Sequence, residues 1–442
     1  MRPAVNDSHD PNLTSWVPKT APDSADFPVQ NLPYGRFLSA TSSKPAIGVA
    51  IGDAVLDLGA AVSRRLLSGT SAEAVQACTD GWLNGLMNLP SDQLSRLRLD
   101  ISHLLSGGGR SHDMVRACLH PRSEITALKP VDIRNYSDFF TSIHHARNTG
   151  QIKRPDNPLL PNFHSLPVAY HGRASTVSIS GTDFARPWGQ YVPTGSATPV
   201  YEPTQGLDFE CELGIYVGRG NRPGQRIPLR EADAHVFGFS LLNDWSARDI
   251  QQWEAMPLGP FLAKSFLSTV SPWIVTSEAL APFRIPAAAR APGSPELLPH
   301  LSDECDRIFG GLDIEFEVRL LTNGMRDSGL VPSAISRPKF KDQYWTPFQM
   351  LAHHTSNGCA LETGDLIGSG TVSGPTTEEL GCLLEITTGG RTAICLPNGE
   401  KRLYLQDGDE VTISARCQNP EFASIGFGQC TGTVTPCTIP GI

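Results

Sequence analysis

Asp208-Phe209-Glu210-Cys211-Glu212-Leu213-Gly214-Ile215 alternates apolar side chains with carboxylates, and few folds can house that pattern. Side chains alternate across a β-strand, so Phe209, Cys211, Leu213 and Ile215 fall on one face and Glu210 and Glu212 on the other. The apolar flanks argue for burial, and buried carboxylates are rarely left unpaired. Two acids at i and i+2 on a strand stand roughly 6–7 Å apart, which suits gripping one hard cation. A solvated acidic face is the plainer alternative.

At 442 residues the chain exceeds what one hydrophobic core usually organises. Two domains are expected, 1–130 and 131–442. The 41 Gly and 36 Pro imply many turns and a mainly β, α+β fold. Ile47–Ile51 and Ala54–Leu58 around Gly52-Asp53 read as a hairpin, and 72–119 as helical, with Leu94, Leu97, Leu104, Leu105 and Val115 in apolar stripes. Beyond Lys129-Pro130, strands are expected at 175–180, 209–217, 314–321, 383–388 and 410–415. Helices are expected near 138–148, 244–255 and 346–355, and a surface loop at 281–311. Residues 1–30 read as extended.

Net charge −9 without a Lys/Arg block argues against a nucleic-acid partner. No apolar run is long enough for a membrane span, and the N-terminus lacks an apolar signal core. Ten cysteines without a C-x-x-C pair point to reduced thiols and a cytoplasmic location.

Four further segments carry candidate chemistry. Asp138 reads as the N-cap of a helix ending at Gly150, with His145 two turns on and on the same face. That is either a cap with a surface histidine or a ligand beside a base. Asp244, Arg248 and Gln251, read on one helix, share a face. Lys264 stands alone in the apolar run Leu258–Phe266 and needs an anionic partner if buried. Gly368–Pro375 lets backbone approach a ligand closely, and Glu385 follows between apolar neighbours. Asp138, Glu210, Glu212 and Asp244, if convergent, suit Ca²⁺, Mg²⁺ or Mn²⁺ better than zinc. A nearby His145 could activate water.

Longer motifs carry a resemblance. Asp26-Phe27-Pro28, Asn31–Gly35, Asp138-Phe139 with His145-Ala146, Tyr170–Ser175, Asn243–Ile250, Pro257–Lys264, Tyr344–Thr346 and Gly370–Pro375 occur in one order along nearly the whole chain. The chain resembles the fumarylacetoacetase family, C–C bond hydrolases that end tyrosine breakdown. The resemblance implies a small N-terminal SH3-like barrel domain, a larger C-terminal β-roll domain and a homodimer. It implies hydrolysis of 4-fumarylacetoacetate, a small diketo acid, to fumarate and acetoacetate. A related acylpyruvate or β-diketone hydrolase, decarboxylase or isomerase is the alternative. A structural calcium site in a non-catalytic binding protein is a third, which His145, Glu385 and Lys264 weigh against.

By motif, Asp138, Glu210, Glu212 and Asp244 match ligands of an active-site Ca²⁺. Asp244, Lys264 and Ser268 match a neighbouring Mg²⁺ site. His145 matches the general base and Glu385 its orienting acid. Arg248, Gln251 and Lys264 match oxyanion-stabilising groups. Arg154, Tyr170, Gln251 and Thr371 match substrate-binding positions. Phe140 and Ala255 stand where the animal enzymes have substrate-contacting tyrosines.

Overall fold

The computed structural model describes residues 4–20, 24–40, 42–78, 81–107 and 112–437. Parts of the extended reading of 1–30 (residues 1–3 and 21–23) and of the helical reading of 72–119 (79–80 and 108–111) lie outside the described residues.

The first unit is a five-stranded antiparallel sheet in the spatial order Leu119–Pro121, Ala54–Asp57, Ala46–Ile51, Tyr34–Ser39, Ile125–Leu128. Gly52, with φ at 52°, makes the expected hairpin turn between the second and third of these. Helices Thr70–Gln76 and Ser91–Leu105 pack beside the sheet, and Leu97, Ile101 and Leu105 of the longer one are buried. Ile125–Leu128 pairs with Tyr34–Ser39, so the chain completes this sheet before leaving it.

The remainder is built on two larger sheets. One has eight strands, ordered Val168–His171, Tyr136–Phe140, Leu366–Gly368, Cys211–Val217, Val236–Asp244, Ser268–Val270 and Val177–Ile179, with Val275–Thr276 paired to Val236–Asp244. The other has five, led by the long pair Glu410–Asn419 and Phe422–Thr435. Cys211, Leu213, Ile215 and Val217 enter the main core, which also takes Phe316, Val318, Ile413 and Phe427 from the five-stranded sheet. Tyr216, Leu242, Val270 and Leu366 join the core of the first unit instead. The eight-stranded sheet is therefore covered on both faces, which is why Cys211–Val217 is buried at every position.

Four local readings are corrected. The strand begins at Cys211, and Phe209-Glu210 bridges it to the short strand Leu207–Asp208. Asp138 lies inside the strand Tyr136–Phe140, and the following helix, Ile143–Lys153, is capped by Ser142, whose hydroxyl accepts from the His145 N–H. Asp138 and His145 therefore share no helix face. Gly150 lies inside that helix rather than beyond its end, and only glycine fits there, since a Cβ would meet the Pro158 carbonyl at 1.7 Å. Asp244 ends the strand Val236–Asp244, and the helix starts only at Arg248, so Asp244, Arg248, Gln251 and Ala255 are not one helical stripe. Leu383–Ile386 is a helical turn, not a strand: Asp208 accepts from the N–H groups of Leu383 (2.7 Å) and Leu384 (2.9 Å) at its start.

Candidate active site

The register of the eight-stranded sheet gathers the acids. Tyr170 pairs with Asp138, Asp138 with Gly368, and Asp244 with Ser268, while Glu212 lies two residues from the partner of Gly368. With strands about 4.8 Å apart, these side chains converge over Gly368. A Cβ on Gly368 would meet Asp138 Oδ1 at 2.3 Å and Glu212 Oε2 at 3.1 Å, so glycine leaves room for the carboxylates to lean together.

Asp138, Glu212 and Asp244 are buried, and one oxygen of each lies within 4.8 Å of the others. Tyr170 donates its hydroxyl to Asp244 Oδ2 (2.7 Å) and Asp138 Oδ2 (3.2 Å), Ser268 donates to Asp244 Oδ1 (2.9 Å), and Gly370 N–H donates to Glu212 Oε2 (3.1 Å). Asp138 Oδ1 and Glu212 Oε1 are buried with no hydrogen-bond partner among the described residues. Burial first, and then the neighbouring acids, hold the Asp138 and Glu212 carboxyls well above the usual carboxylate range. Mutually repelling carboxylates with orphaned oxygens fit a hard divalent cation.

Glu210 takes a different position from the other three. It accepts from Lys264 Nζ and from Arg248 Nη1 (2.7 Å). Burial opposes its charge, but these two cations outweigh burial and hold its carboxyl low. Lys264 also donates to Asp244 Oδ2 at 2.5 Å. Burial opposes its charge as well, yet Asp244 and Glu210 keep the amine above its usual range. The anionic partner that the sequence demanded of Lys264 is thus a pair. Arg248 Nε donates to Asp208 at 2.8 Å and Nη1 reaches Gln251 at 3.2 Å, while its Nη2 is buried without a partner among the described residues.

A second buried group lies beside the first. His145 Nδ1 stands 2.6 Å from Glu385 Oε2. Glu385 accepts in addition from Asn148 (2.8 Å), Ser373 (2.7 Å) and Cys382 (3.2 Å). Burial disfavours its charge, but His145 and these donors hold the carboxyl below its usual range. Cys382, His145 and Glu385 form a cluster with metal-ligand elements. The short His–carboxylate bond makes an oriented base the simpler chemistry, as in other His–acid pairs. Phe140 lays its ring edge-on to His145, with centroids 5.1 Å apart. Thr371 Oγ1 is buried without a hydrogen-bond partner among the described residues. Arg154 caps the His145 helix at its exposed end.

Sequence reasoning missed Asp208, Asn148, Ser373 and Cys382. Asn148 had a signal, being one turn beyond His145. Ser373 lay inside the Gly370–Pro375 motif.

The family described as "Fumarylacetoacetase N-terminal" matches residues 30–130, and "Fumarylacetoacetate (FAA) hydrolase C-terminal" matches residues 133–435. Fumarylacetoacetase of Oryza sativa subsp. japonica is 44% identical over 96% of this chain and 97% of its own. Fumarylacetoacetase of Bos taurus is 44% identical over 96% and 99%, and that of Homo sapiens 44% identical over 96% and 100%.

Proposed function

The chain belongs to the fumarylacetoacetase family, and from that premise we propose that it hydrolyses the C–C bond of 4-fumarylacetoacetate, giving fumarate and acetoacetate. The observation that carries this reading is the buried His145–Glu385 pair beside a carboxylate trio with orphaned oxygens. Asp138, Glu212 and Asp244, with Glu210 at their edge, would hold a divalent cation that polarises the two diketone oxygens. Ca²⁺ is the ion we propose, with Mg²⁺ or Mn²⁺ as substitutes, and a second Mg²⁺ beside Asp244, Lys264 and Ser268.

Glu385 fixes Nδ1 of His145 as a donor and leaves Nε2 to take a proton from water. The hydroxide attacks the carbonyl next to the scissile bond, and the electrons of that bond leave with the acetoacetate fragment, which regains a proton. Arg248 Nη2, having no protein partner, supplies a donor for the negative charge that develops, with Gln251 and Lys264 alongside. Arg154, Tyr170 and Thr371 hold the substrate. Phe140 and Ala255 carry no hydroxyl, which favours a wider substrate range that includes shorter acylpyruvates.

Loss of diketone absorbance together with appearance of fumarate, in the presence of divalent ion, tests the reaction. No turnover of 4-fumarylacetoacetate under those conditions would refute it.

We also propose the division into 1–130 and 131–442, supported by the return of Ile125–Leu128 to the first sheet. A homodimer is supported by an exposed apolar stretch in which Met256 is 83% and Leu258 97% accessible, with Phe261 and Leu262 beside them. Ten free cysteines support cytoplasmic residence, and among the described residues no helix is long and apolar enough to cross a membrane.

A further inference from the structure

The two clusters of metal-ligating side chains among the described residues differ in chemistry. The carboxylate trio offers oxygen alone. The other joins a thiol, an imidazole and a carboxylate, those of Cys382, His145 and Glu385, all buried. Glu385 Oε2 lies 2.6 Å from His145 Nδ1 and 3.2 Å from Cys382 Sγ, and Sγ lies 4.0 Å from Nδ1. The hydrolytic reading uses the imidazole and the carboxylate but requires no sulfur.

Zinc takes sulfur at about 2.3 Å and nitrogen or oxygen at about 2.0–2.2 Å, so ligand atoms around its tetrahedron stand about 3.3–3.6 Å apart. The three separations here bracket that spacing. The largest adjustment, opening the His145–Glu385 contact from 2.6 Å, is about 0.7 Å. Charge also balances. A thiolate and a carboxylate match the two positive charges of the ion, and the imidazole stays neutral, so the filled site leaves no uncompensated charge in the interior. Softness sorts the two clusters: sulfur with imidazole selects zinc or cadmium, while an all-oxygen trio selects calcium or magnesium.

Occupancy would change the base. Glu385 keeps the imidazole proton on Nδ1 and leaves Nε2 free to accept one. A metal ion on Nδ1 takes the lone pair of that nitrogen, and the proton moves to Nε2. The thiol proton passes to solvent as sulfur coordinates. The nitrogen that should accept a proton from water then already carries one.

We propose that Cys382, His145 and Glu385 form a binding site for a thiophilic divalent cation of the zinc or cadmium class, and that filling it inhibits the enzyme. The site is independent of the hydrolase reading; only the inhibition rests on that reading, through His145 as the base.

The test uses the full chain in excess Ca²⁺, which occupies the carboxylate trio, and compares wild type with Cys382→Ser and Cys382→Ala. The serine variant keeps a hydrogen-bond donor for Glu385. Cadmium is titrated while the ultraviolet thiolate-to-cadmium band is recorded; the other cysteines are common to all three proteins, so the difference isolates position 382. Zinc affinity is read by competition with a chromogenic chelator, and turnover of 4-fumarylacetoacetate is followed against added zinc, each protein being scored against its own zinc-free rate. The difference band should be present in wild type alone. Both variants should bind zinc more than about 100-fold more weakly, a loss beyond the 10- to 100-fold that removing an outer partner of a ligand costs. Zinc that halves the wild-type rate should leave each variant close to its own zinc-free rate. Equal zinc affinity in wild type and both variants would overturn the proposal, as would the absence of a difference band. Zinc held through Cys382 with undiminished turnover would overturn the inhibitory half. A wild type that binds zinc through Cys382 but cleaves no fumarylacetoacetate in zinc-free Ca²⁺ would refute the hydrolase reading and leave the metal site standing.

Discussion

Replacing Glu385 by Gln isolates the role of one buried charge, because the side chain keeps its shape. The carboxylate accepts from four groups, His145 Nδ1, Asn148 Nδ2, Ser373 Oγ and Cys382 Sγ. An amide offers one acceptor oxygen. If that oxygen stays on His145 and Ser373, the new NH₂ group faces the Asn148 NH₂, donor against donor. The charge that would stabilise a protonated His145 is also gone. Breaking a buried ion pair by removing one partner costs about 3–5 kcal/mol. Falling on the transition state, that is about 10²–10⁴ in rate. We expect kcat of Glu385→Gln to drop by that factor and KM for 4-fumarylacetoacetate to change little. Stopped-flow loss of diketone absorbance measures both. His145→Ala should lose as much, and the double variant should be no worse than His145→Ala alone, because the two residues act as one unit. A Glu385→Gln enzyme within about fivefold of wild type, well below the loss expected of an acid–base pair, would refute the dyad. Fully additive losses in the double variant would refute it as well.

Gly368→Ala places a methyl where Asp138 Oδ1 now lies, 2.3 Å away, so divalent-ion affinity and activity should fall together while the fold persists. Equilibrium dialysis with Ca²⁺, Mg²⁺ and Mn²⁺ reads the affinity, and unaltered binding would remove the carboxylate trio as the cation site. Asp306 is no part of the carboxylate trio or the His145–Glu385 pair, and burial pushes its carboxyl up to about 6 against a hydrogen bond from Thr346. A folded pKa above the unfolded value makes this contribution complete below pH about 4, and it is lost as pH rises through about 6. Asp306→Asn should therefore flatten the pH dependence of stability from urea unfolding across that window, by about 3 kcal/mol at about 1.4 kcal/mol per pKa unit; an unchanged slope counts against it. If the proposed homodimer uses the exposed stretch around Leu258 and Phe261, Leu258→Asp with Phe261→Asp should give monomers by light scattering, and unaltered association would place the interface elsewhere.

What the sequence made legible was periodicity and residue type. The alternation in Cys211–Val217 specified a strand with its apolar face in the core, and Gly52-Asp53 specified the hairpin. Side-chain inventory was also legible: the acids, His145 and Lys264 were singled out before their neighbours were known. Local geometry was less so. Asp138 and Ser142 both resemble helix caps, and only the three-dimensional setting selects Ser142. Cys382-Leu383-Leu384-Glu385-Ile386 is too short an apolar run to separate strand from helix by period. The deciding contact is Asp208, 175 residues away in sequence. The Asn148–Glu385 bond spans 237 residues, beyond any spacing rule.

Asp208 has a consequence of its own. One carboxylate clasps Arg248, whose Nη2 is buried with no hydrogen-bond partner among the described residues, and also anchors the turn that bears Glu385. The base and the cation are thereby surveyed from the same reference mark. The same economy makes position 208 brittle over generations. A replacement there would remove the hydrogen bonds to Arg248 and to the Glu385 turn together.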